Sequence, residues 1–222
     1  MARTSYREQL TNLRADVAAM AELVGERYDE AIAVLQSGDE QEARRIIQGD
    51  EDLNDWYLDI ESDCIDLLAL QQPVASDLRF IASSFKIATD LERIGDLATN
   101  LAEYGRESGG DLQETIDVEP IATPAGEMLA DGMAGYQRDD PEAARAVAAR
   151  DDELDERCRE ASEAIVRTLL TATSKGVDTD QRVENASRAL LTIRDLERVG
   201  DHAVNICART VYMTDNDDEL IY

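Results

Sequence analysis

The heptapeptide DLERIGD at residues 90–96 decides how this chain folds, because it returns at residues 195–201 as DLERVGD. Extended to Asn100 and Asn205, the two copies keep eight of eleven residues identical at a shift of 105. A repeat of this kind indicates two copies of one folding unit. Its best-kept positions are polar, so packing alone does not account for it.

Composition and hydrophobic spacing predict an all-α protein. The 222 residues include only two Phe, one Trp and four Pro, and apolar residues recur at helical spacing. We predict two tandem antiparallel three-helix bundles related by an internal pseudo-twofold repeat, with domains at residues 1–112 and 113–222. The predicted helices are residues 5–36, 40–70, 74–107, 121–138, 141–173 and 179–213.

Turn-forming residues mark the ends of these helices. Asp39 is predicted as an N-cap and Pro141 as a first helical residue. The turns Gln72-Pro73 and Ser174-Lys175-Gly176 close the two hairpins. Further breaks at residues 108–110 and 118–124 are predicted to form the linker between the halves, and residues 213–222 a frayed tail.

Acidic residues interrupt the apolar seams of the helices at the same place in both halves. Asp50 and Asp151 interrupt the second and fifth helices, and Glu92 and Glu197 the third and sixth. Residues spaced by three and four share a helical face, so these carboxylates are predicted to point inward. A further oxygen ligand follows each of them one turn on. The predicted metal ligands are Asp50, Asn54, Glu92, Asp96, Asp151, Asp155, Glu197 and Asp201.

Hairpins pivoting near residues 71 and 174 would set Asp50 level with Glu92, and Asp151 level with Glu197. Carboxylates that face each other in a partly buried seam repel, and their burial is costly, so a bound cation is the simplest compensation. Four ligands spread over ~12 Å leave room for more than one ion. Oxygen ligands favour Mg, Mn, Ca or Fe over a thiolate-type zinc site.

A salt-bridge network is the alternative explanation of these acids. Arg93 and Arg198 adjoin the repeated motif and could neutralise it without metal. Gly95 and Gly200, in mid-helix, indicate close approach by either a helix or a ligand, because glycine there costs ~1 kcal/mol against alanine.

The charge balance excludes some partners and indicates a habitat. The chain has 49 acidic and 22 basic residues, a net charge of -27, which repels nucleic acid. Only Lys86 and Lys175 are lysines, and such a composition is typical of proteins that work in concentrated salt.

No stretch approaches the ~20 apolar residues of a membrane span, and the start does not resemble a signal peptide. We expect a cytoplasmic protein without direct membrane insertion.

The remaining reactive residues do not form a catalytic pattern. Cys64, Cys158 and Cys207 lack the spacing of a disulfide framework or a zinc site, and the first two fall on apolar seams. His202, the single histidine, points about 100° round the helix from Asp201, so we interpret it as a surface or interface residue. With neither a nucleophile–base pair repeated in both halves nor a glycine-rich phosphate loop, we predict no enzyme.

At these residues the sequence resembles the PhoU family of phosphate-transport regulators, which contain two PhoU domains. The segment QPVASDLR at residues 72–79 resembles the family's turn into its third helix. The two Leu-Glu-Arg-Ile/Val-Gly-Asp segments resemble the repeated E(D)xxxD signature. The resemblance covers nearly the whole chain and implies two three-helix bundles. Strong acidity further suggests a halophilic archaeon as the source.

The resemblance implies a negative regulator of phosphate uptake that contacts the phosphate ABC transporter, chiefly its ATPase subunit, and in bacteria a sensor kinase. We also expect a homodimer. Some members bind multinuclear iron or zinc clusters on the E(D)xxxD pairs, which implies divalent or trivalent ions (iron, zinc, Mn or Mg) on the eight ligands named above. Asn54 departs from an all-carboxylate set, so weaker or fewer ions are expected in the first half. Two other hypotheses are a carboxylate-metal enzyme acting on phosphate compounds and a metal-free acidic helical scaffold.

Overall fold

The computed structural model describes residues 2–171 and 179–221, and every regular element among these residues is helical. This agrees with the predicted all-α class. A 3₁₀ turn, Asp111–Glu114, joins the halves. The first half contains α1 (Ala2–Ser37), α2 (Glu40–Gln48), α3 (Asp50–Gln71) and α4 (Ala75–Ser108), and the second contains α5 (Glu119–Arg138), α6 (Pro141–Ala148), α7 (Asp151–Thr171) and α8 (Thr179–Asp215).

The middle helix of each half is broken, which differs from the prediction of one continuous helix. The first break is at Gly49, between α2 and α3, and the second is at Ala149 and Arg150, between α6 and α7. At the first break the buried Arg27 of α1 donates from Nη2 to the carbonyl of Gly49, one of the carbonyls that a helix end leaves without an intrahelical donor. Asp50 and Asp151 therefore begin new helices.

Most predicted boundaries are confirmed by capping contacts. The Asp39 carboxylate accepts from the backbone amides of Gln41 and Glu42, at 2.9 and 3.1 Å. Asp140 accepts from the amide of Ala143 at 3.0 Å, with Pro141 as the first helical residue. Gln72 ends α3 in the left-handed region, at φ 48°. The predicted turn at Ser174-Lys175-Gly176 lies outside the described residues.

The linker is shorter than predicted, because α5 begins at Glu119 and includes Pro124. Proline has no amide hydrogen, so Pro124 leaves the carbonyl of Pro120 without its helical donor. Arg157 of α7 supplies a replacement, since its Nη1 donates to that carbonyl at 2.9 Å. The helix therefore tolerates an internal proline.

The two halves share one continuous apolar core in which α4 packs against α8 and α1 against α5. Buried hydrogen bonds cross between the halves. Tyr28 donates to the carbonyl of Ala122 at 2.7 Å, and the hydroxyls of Ser84 and Tyr136 lie 2.7 Å apart. The domain limits 1–112 and 113–222 stay a prediction, but the halves do not pack as independent bodies.

Residues 213–221 are attached to the fold, so the prediction of a frayed tail is wrong for the described part of this segment. Helix α8 continues to Asp215, and Arg145 of α6 contacts three acids at or beyond its end. Its guanidinium lies 3.0 Å from Asp215, 3.6 Å from Asp217 and 2.6 Å from Glu219.

The three cysteines, Cys64, Cys158 and Cys207, are free and buried, which agrees with the packing role predicted for Cys64 and Cys158. None of the helices within the described ranges has the length and apolar character needed to span a membrane.

Candidate metal centre

Three carboxylates of the second half come together at the start of α7. Asp151 is its first residue, Asp155 follows one turn later, and Asp201 lies on the facing side of α8. One oxygen from each lies within 4.8 Å of the others. Among the described residues this is the one group of three acidic, histidine or cysteine side chains that comes so close, and its spacing suits a cation with oxygen ligands. We call these three residues together with Glu197 the second cluster.

Asp151 is the least satisfied member of this cluster. Its Oδ1 is buried and has no hydrogen-bond partner. Burial raises the pKa of Asp151 to about 6, and repulsion from Asp155 and Asp201 adds to the effect. A buried carboxylate oxygen without a donor is costly, so the site fits a positive ligand.

The other two acids of the second half are also perturbed. Burial, and then the charge of Asp155, raises the pKa of Glu197 and of Asp201. His202 and Arg198 lower the pKa of Asp201, which opposes part of this shift. Glu197 is close enough for the charges of Asp155 and Asp201 to act on it, but it is not one of the three residues whose oxygens lie within 4.8 Å of one another.

The first half places its ligands in a similar way but satisfies them differently. Asp50 begins α3, and its Oδ1 accepts from Oγ1 of Thr99 on α4 at 3.1 Å. The residue equivalent to Thr99 is Val204, which has no hydroxyl to give Asp151. Asn54 stands where Asp155 does, and it is exposed. We call Asp50, Asn54, Glu92 and Asp96 the first cluster. It has one negative charge fewer than the second cluster, and Thr99 gives it a hydrogen-bond donor that the second cluster lacks.

Burial also raises the pKa of both remaining acids of the first cluster. For Glu92 the next contribution is the charge of Asp96, and for Asp96 it is the charge of Asp50. Arg93 lowers both pKa values, and Arg198 lowers that of Asp96 from the other half. The two clusters are thus close enough to share the field of one arginine.

A salt-bridge network does not account for these acids. Within residues 2–171 and 179–221, none of the seven carboxylates of the two clusters forms an ion pair, and neither Arg93 nor Arg198 makes one. The arginines act on the clusters only through space. The predicted salt-bridge network is therefore not formed among the described residues, and a bound cation stays a prediction.

Two leucine–glycine contacts set the register of the hairpins. A Cβ at Gly95 would overlap Cδ2 of Leu53, and one at Gly200 would overlap Cδ2 of Leu154. The close approach that these glycines indicated is therefore made by a helix. It sets Asp50 opposite Thr99, about two turns from Glu92, and Asp151 beside Gly200, about one turn from Glu197. The predicted level pairing with Glu92 and Glu197 is therefore offset by one to two turns.

The first aspartate of each repeated heptapeptide joins the two halves. Asp90 on α4 lies 2.9 Å from Nδ1 of His202 and accepts from Nδ2 of Asn205 at 3.2 Å. The fully buried Asp195 accepts from the hydroxyl of Tyr104 at 3.0 Å. The sequence pattern did not indicate this role, although both aspartates are identical in the repeat. His202 is an interface residue, as interpreted.

Comparison with known proteins agrees with this architecture. A family model for the PhoU domain matches twice, at residues 17–105 and 119–210. A phosphate-specific transport system accessory protein PhoU homolog from Pseudomonas aeruginosa is 32% identical over 216 residues, which cover 96% of this chain and 86% of that protein. The protein named phosphate-specific transport system accessory protein PhoU homolog 1, from the archaeon Methanothermobacter thermautotrophicus, is 28% identical. The match covers 95% of this chain and 94% of that protein.

The fold also matches a solved structure. The crystal structure of the phosphate transport system regulatory protein PhoU from Streptococcus pneumoniae superposes with a TM-score of 0.85 at 27% identity, over 96% of this chain and 98% of that one.

Proposed function

The chain belongs to the PhoU family, and on that premise we propose that it is a negative regulator of phosphate uptake that acts by contact with the phosphate ABC transporter. One observation carries the proposal: both PhoU domains are present and in order. Relatives that match along 95–96% of this chain are named accessory proteins of phosphate-specific transport, which supports a role in regulating that transport. The regulator is proposed to act in the cytoplasm, as a non-enzymatic homodimer.

The proposed partner is the transporter's ATPase subunit, because a regulator of import can act most directly where ATP hydrolysis drives transport. A sensor kinase or another regulator is the second proposed contact. Purification of the chain from cells grown at low and at high phosphate tests the partner. We expect the ATPase subunit to co-purify at high phosphate, when uptake must be limited. Its absence at both phosphate levels would contradict the proposed contact.

The second cluster is proposed to bind a divalent or trivalent cation through Asp151, Asp155 and Asp201, with Glu197 beside them. The unpartnered Oδ1 of Asp151 supports this, as does the 4.8 Å grouping of the three oxygens. When bound, the ion would neutralise the repelling carboxylates and hold the start of α7 to α8. The first cluster is proposed to bind more weakly.

Elemental analysis of untagged protein tests the metal. We expect stoichiometric metal in the wild-type chain and its loss in Asp151→Asn with Asp201→Asn. The equivalent change in the first cluster, Asp50→Asn with Asp96→Asn, is the matched control and should leave the metal of the second cluster in place. Wild-type protein without stoichiometric metal would contradict metal binding.

Regulation is tested in a strain from which the gene is deleted. We expect excess phosphate uptake in the deletion strain and normal uptake when the wild-type chain is restored. Uptake of labelled phosphate is the measurement. Unchanged uptake after deletion would contradict negative regulation.

A further inference from the structure

Three basic residues at one end of the contact between α4 and α8 have no acidic partner. Arg79 and Lys86 belong to α4 and Arg209 to α8, and none of them forms an ion pair with a described residue. The chain has 49 acidic and 22 basic residues, so acids to pair with are plentiful. Like charges that lie together repel, and a bound anion would remove this cost.

Helices α4 and α8 run antiparallel, which fixes the residues that face each other. The carboxylate of Asp90 on α4 contacts His202 and Asn205 of α8. Tyr104, further along α4, donates to Asp195, which comes earlier in α8. The first turns of α4 are therefore level with the last turns of α8.

The three basic residues lie one to three turns beyond the contact of Asp90 with α8. Lys86 comes about one turn before Asp90, whose carboxylate is already engaged, and Arg209 comes about one turn after the residues that Asp90 contacts. Lys86 and Arg209 are therefore level. Arg79 and Ser83 share the face of α4 that carries Lys86, because the three are spaced by four and three residues. We call Arg79, Ser83, Lys86 and Arg209 the basic cluster.

Two polar atoms of the basic cluster are buried and have no hydrogen-bond partner among the described residues. They are Nε of Arg79 and Oγ of Ser83, and Ser83 is only 1% exposed. A helical serine often donates to the carbonyl four residues back, but Ser83 does not. Lys86 is exposed, so the cluster meets solvent on that side. Buried donors without acceptors are costly, and the oxygens of a bound anion would accept from both.

The equivalent place in the internal repeat contains its own anions. There the guanidinium of Arg188 lies 3.0 Å from Glu184 and 3.5 Å from Glu107. At a shift of 105, the basic cluster has Arg79 in place of Glu184, and beside it Tyr212 stands in place of Glu107. The repeat thus balances its charges at one of the two places and leaves cations without acids at the other.

We propose that the basic cluster binds a small oxyanion, and that this ligand is inorganic phosphate. Arg79 and Arg209 would donate charge-assisted hydrogen bonds to the phosphate oxygens, and Lys86 would add a third positive charge. The Ser83 hydroxyl would donate from the buried side. An oxyanion suits these donors better than chloride does, because its several oxygens can accept from all of them at once. The choice of phosphate among oxyanions rests on the proposed function, whereas the anion site does not.

Calorimetric titration of the full chain with potassium phosphate tests the proposal, in KCl at which circular dichroism shows the chain to be folded. We expect the pair Arg79→Gln with Arg209→Gln to weaken binding roughly tenfold or more, because two charge-assisted contacts are lost. The matched control is Arg138→Gln with Arg167→Gln, which changes the net charge equally at two exposed arginines that form no ion pair with described residues. It should bind phosphate like the wild type.

Ser83→Ala tests the site without a change of net charge. Loss of a hydroxyl that has no partner should leave the phosphate-free chain as stable as wild type or more stable. Phosphate should raise the midpoint of thermal unfolding less in this variant than in wild type. The matched control is Ser84→Ala, because the buried Ser84 hydroxyl contacts that of Tyr136. It should lower stability and keep the full effect of phosphate.

The outcomes separate this site from the proposed function. Wild-type chain that binds no phosphate, or a folded Arg79 and Arg209 variant that binds it as tightly as wild type, would overturn the proposal. Sulfate bound as tightly as phosphate would overturn phosphate as the specific ligand. ATP bound in the absence of any binding of inorganic phosphate would overturn the free anion and assign the cluster to a nucleotide. The titration uses the purified chain and uptake is measured in cells, so either proposal can fail while the other holds.

Discussion

A single side chain on the facing helix distinguishes the two aspartates that begin α3 and α7. Thr99 donates to Oδ1 of Asp50 at 3.1 Å, whereas Val204 leaves the equivalent oxygen of Asp151 without a donor. The satisfied aspartate belongs to the cluster with fewer charges. The unsatisfied one belongs to the cluster with three converging carboxylates, where a cation would complete it.

Asp151→Asn is expected to stabilise the metal-free protein at about pH 7.5 and to do so to a smaller extent near pH 5, because the cost of the carboxylate builds up from its ordinary pKa of 3.8 upward. The pKa of Asp151 is raised to about 6 from 3.8, so the folded state favours the protonated form. Stability is therefore lost as pH rises through this range. One pKa unit corresponds to about 1.4 kcal/mol, and partial exposure reduces the effect, so we expect a gain of about 1–2 kcal/mol. Urea unfolding in the presence of a chelator at both pH values is the measurement.

The matched control for that substitution is Asp50→Asn, which keeps an oxygen to accept from Thr99 and should change stability less. A lower stability of Asp151→Asn at about pH 7.5 would show that the carboxylate has a donor and would contradict this account of the cluster.

Thr99→Val is expected to lower the free energy of unfolding by about 1–2 kcal/mol in urea unfolding, because it leaves the Oδ1 of Asp50 without its donor.

The reverse change, Val204→Thr, gives the second half the side chain of the first. We expect it to lower the pKa of Asp151, which nuclear magnetic resonance titration of the carboxyl carbon can measure. An unchanged pKa in Val204→Thr would indicate that the two halves are not equivalent at this position.

At the scale of elements, each hairpin is aligned by a leucine that packs on a glycine. Leu53 and Leu154 occupy the space over Gly95 and Gly200, and both leucines are buried. This contact fixes which residues of α4 and α8 face the start of α3 and α7. The register of the carboxylates therefore follows from core packing and not from the position of the turns.

Gly200→Ala is expected to destabilise the protein by about 1–3 kcal/mol, because the added methyl group overlaps the buried Leu154. The gain in helix propensity, about 1 kcal/mol, offsets only part of this. Gly25→Ala is the matched control, since a Cβ there meets nothing within 4 Å, and it should stabilise by up to about 1 kcal/mol. Thermal and urea unfolding compare the two variants.

Leu154→Ala combined with Gly200→Ala completes this test. If the overlap is the cause, the double variant should be less destabilised than the sum of the two single changes. Additive effects would show that Leu154 is not what Gly200 accommodates.

The sequence was sufficient for the helices but not for their breaks. Seams at helical spacing run across Gly49 and Arg150 without interruption, so one helix was predicted where two exist. The signal was present in the acids themselves: Asp50, Glu51 and Asp52 form the first turn of α3, where negative charge interacts favourably with the helix dipole. Three consecutive acids are typical of a helix start, and only Asp50 among them is a predicted metal ligand.

At the scale of the whole molecule, the repeat predicted two bundles. The contacts that hold the two bundles together could not be predicted from the spacing of apolar residues. Asp90 and Asp195 contact the opposite half through His202 and Tyr104. Such long-range pairs depend on how α4 and α8 cross, which follows from the packing of the complete core. The eight predicted ligands follow from the regular spacing of their helices, and their role stays a prediction. The offset of one to two turns between them depends on core packing, which the spacing does not report.

The net charge of -27 leads to an expectation for the stability of the entire fold. Self-repulsion destabilises a compact acidic chain, and the Debye length falls from ~10 Å at 0.1 M salt to ~3 Å at 1 M. We therefore expect the free energy of unfolding to rise as KCl increases over this range. The salt bridges among the described residues are mostly exposed, as at Arg44 and Arg159, and each contributes about 0–1 kcal/mol, so their weakening should not reverse the trend.

Urea unfolding measures this dependence, because urea is uncharged and leaves the ionic strength to KCl. Screening should saturate near 1 M, whereas a gain that continues to about 3 M would indicate exclusion of the salt from the protein surface. The variant Asp151→Asn with Asp201→Asn should show the same slope as wild type, since the effect is spread over the surface. A slope lost in that variant would instead place the salt effect at cation binding in the second cluster, and a stability independent of KCl would contradict adaptation to concentrated salt.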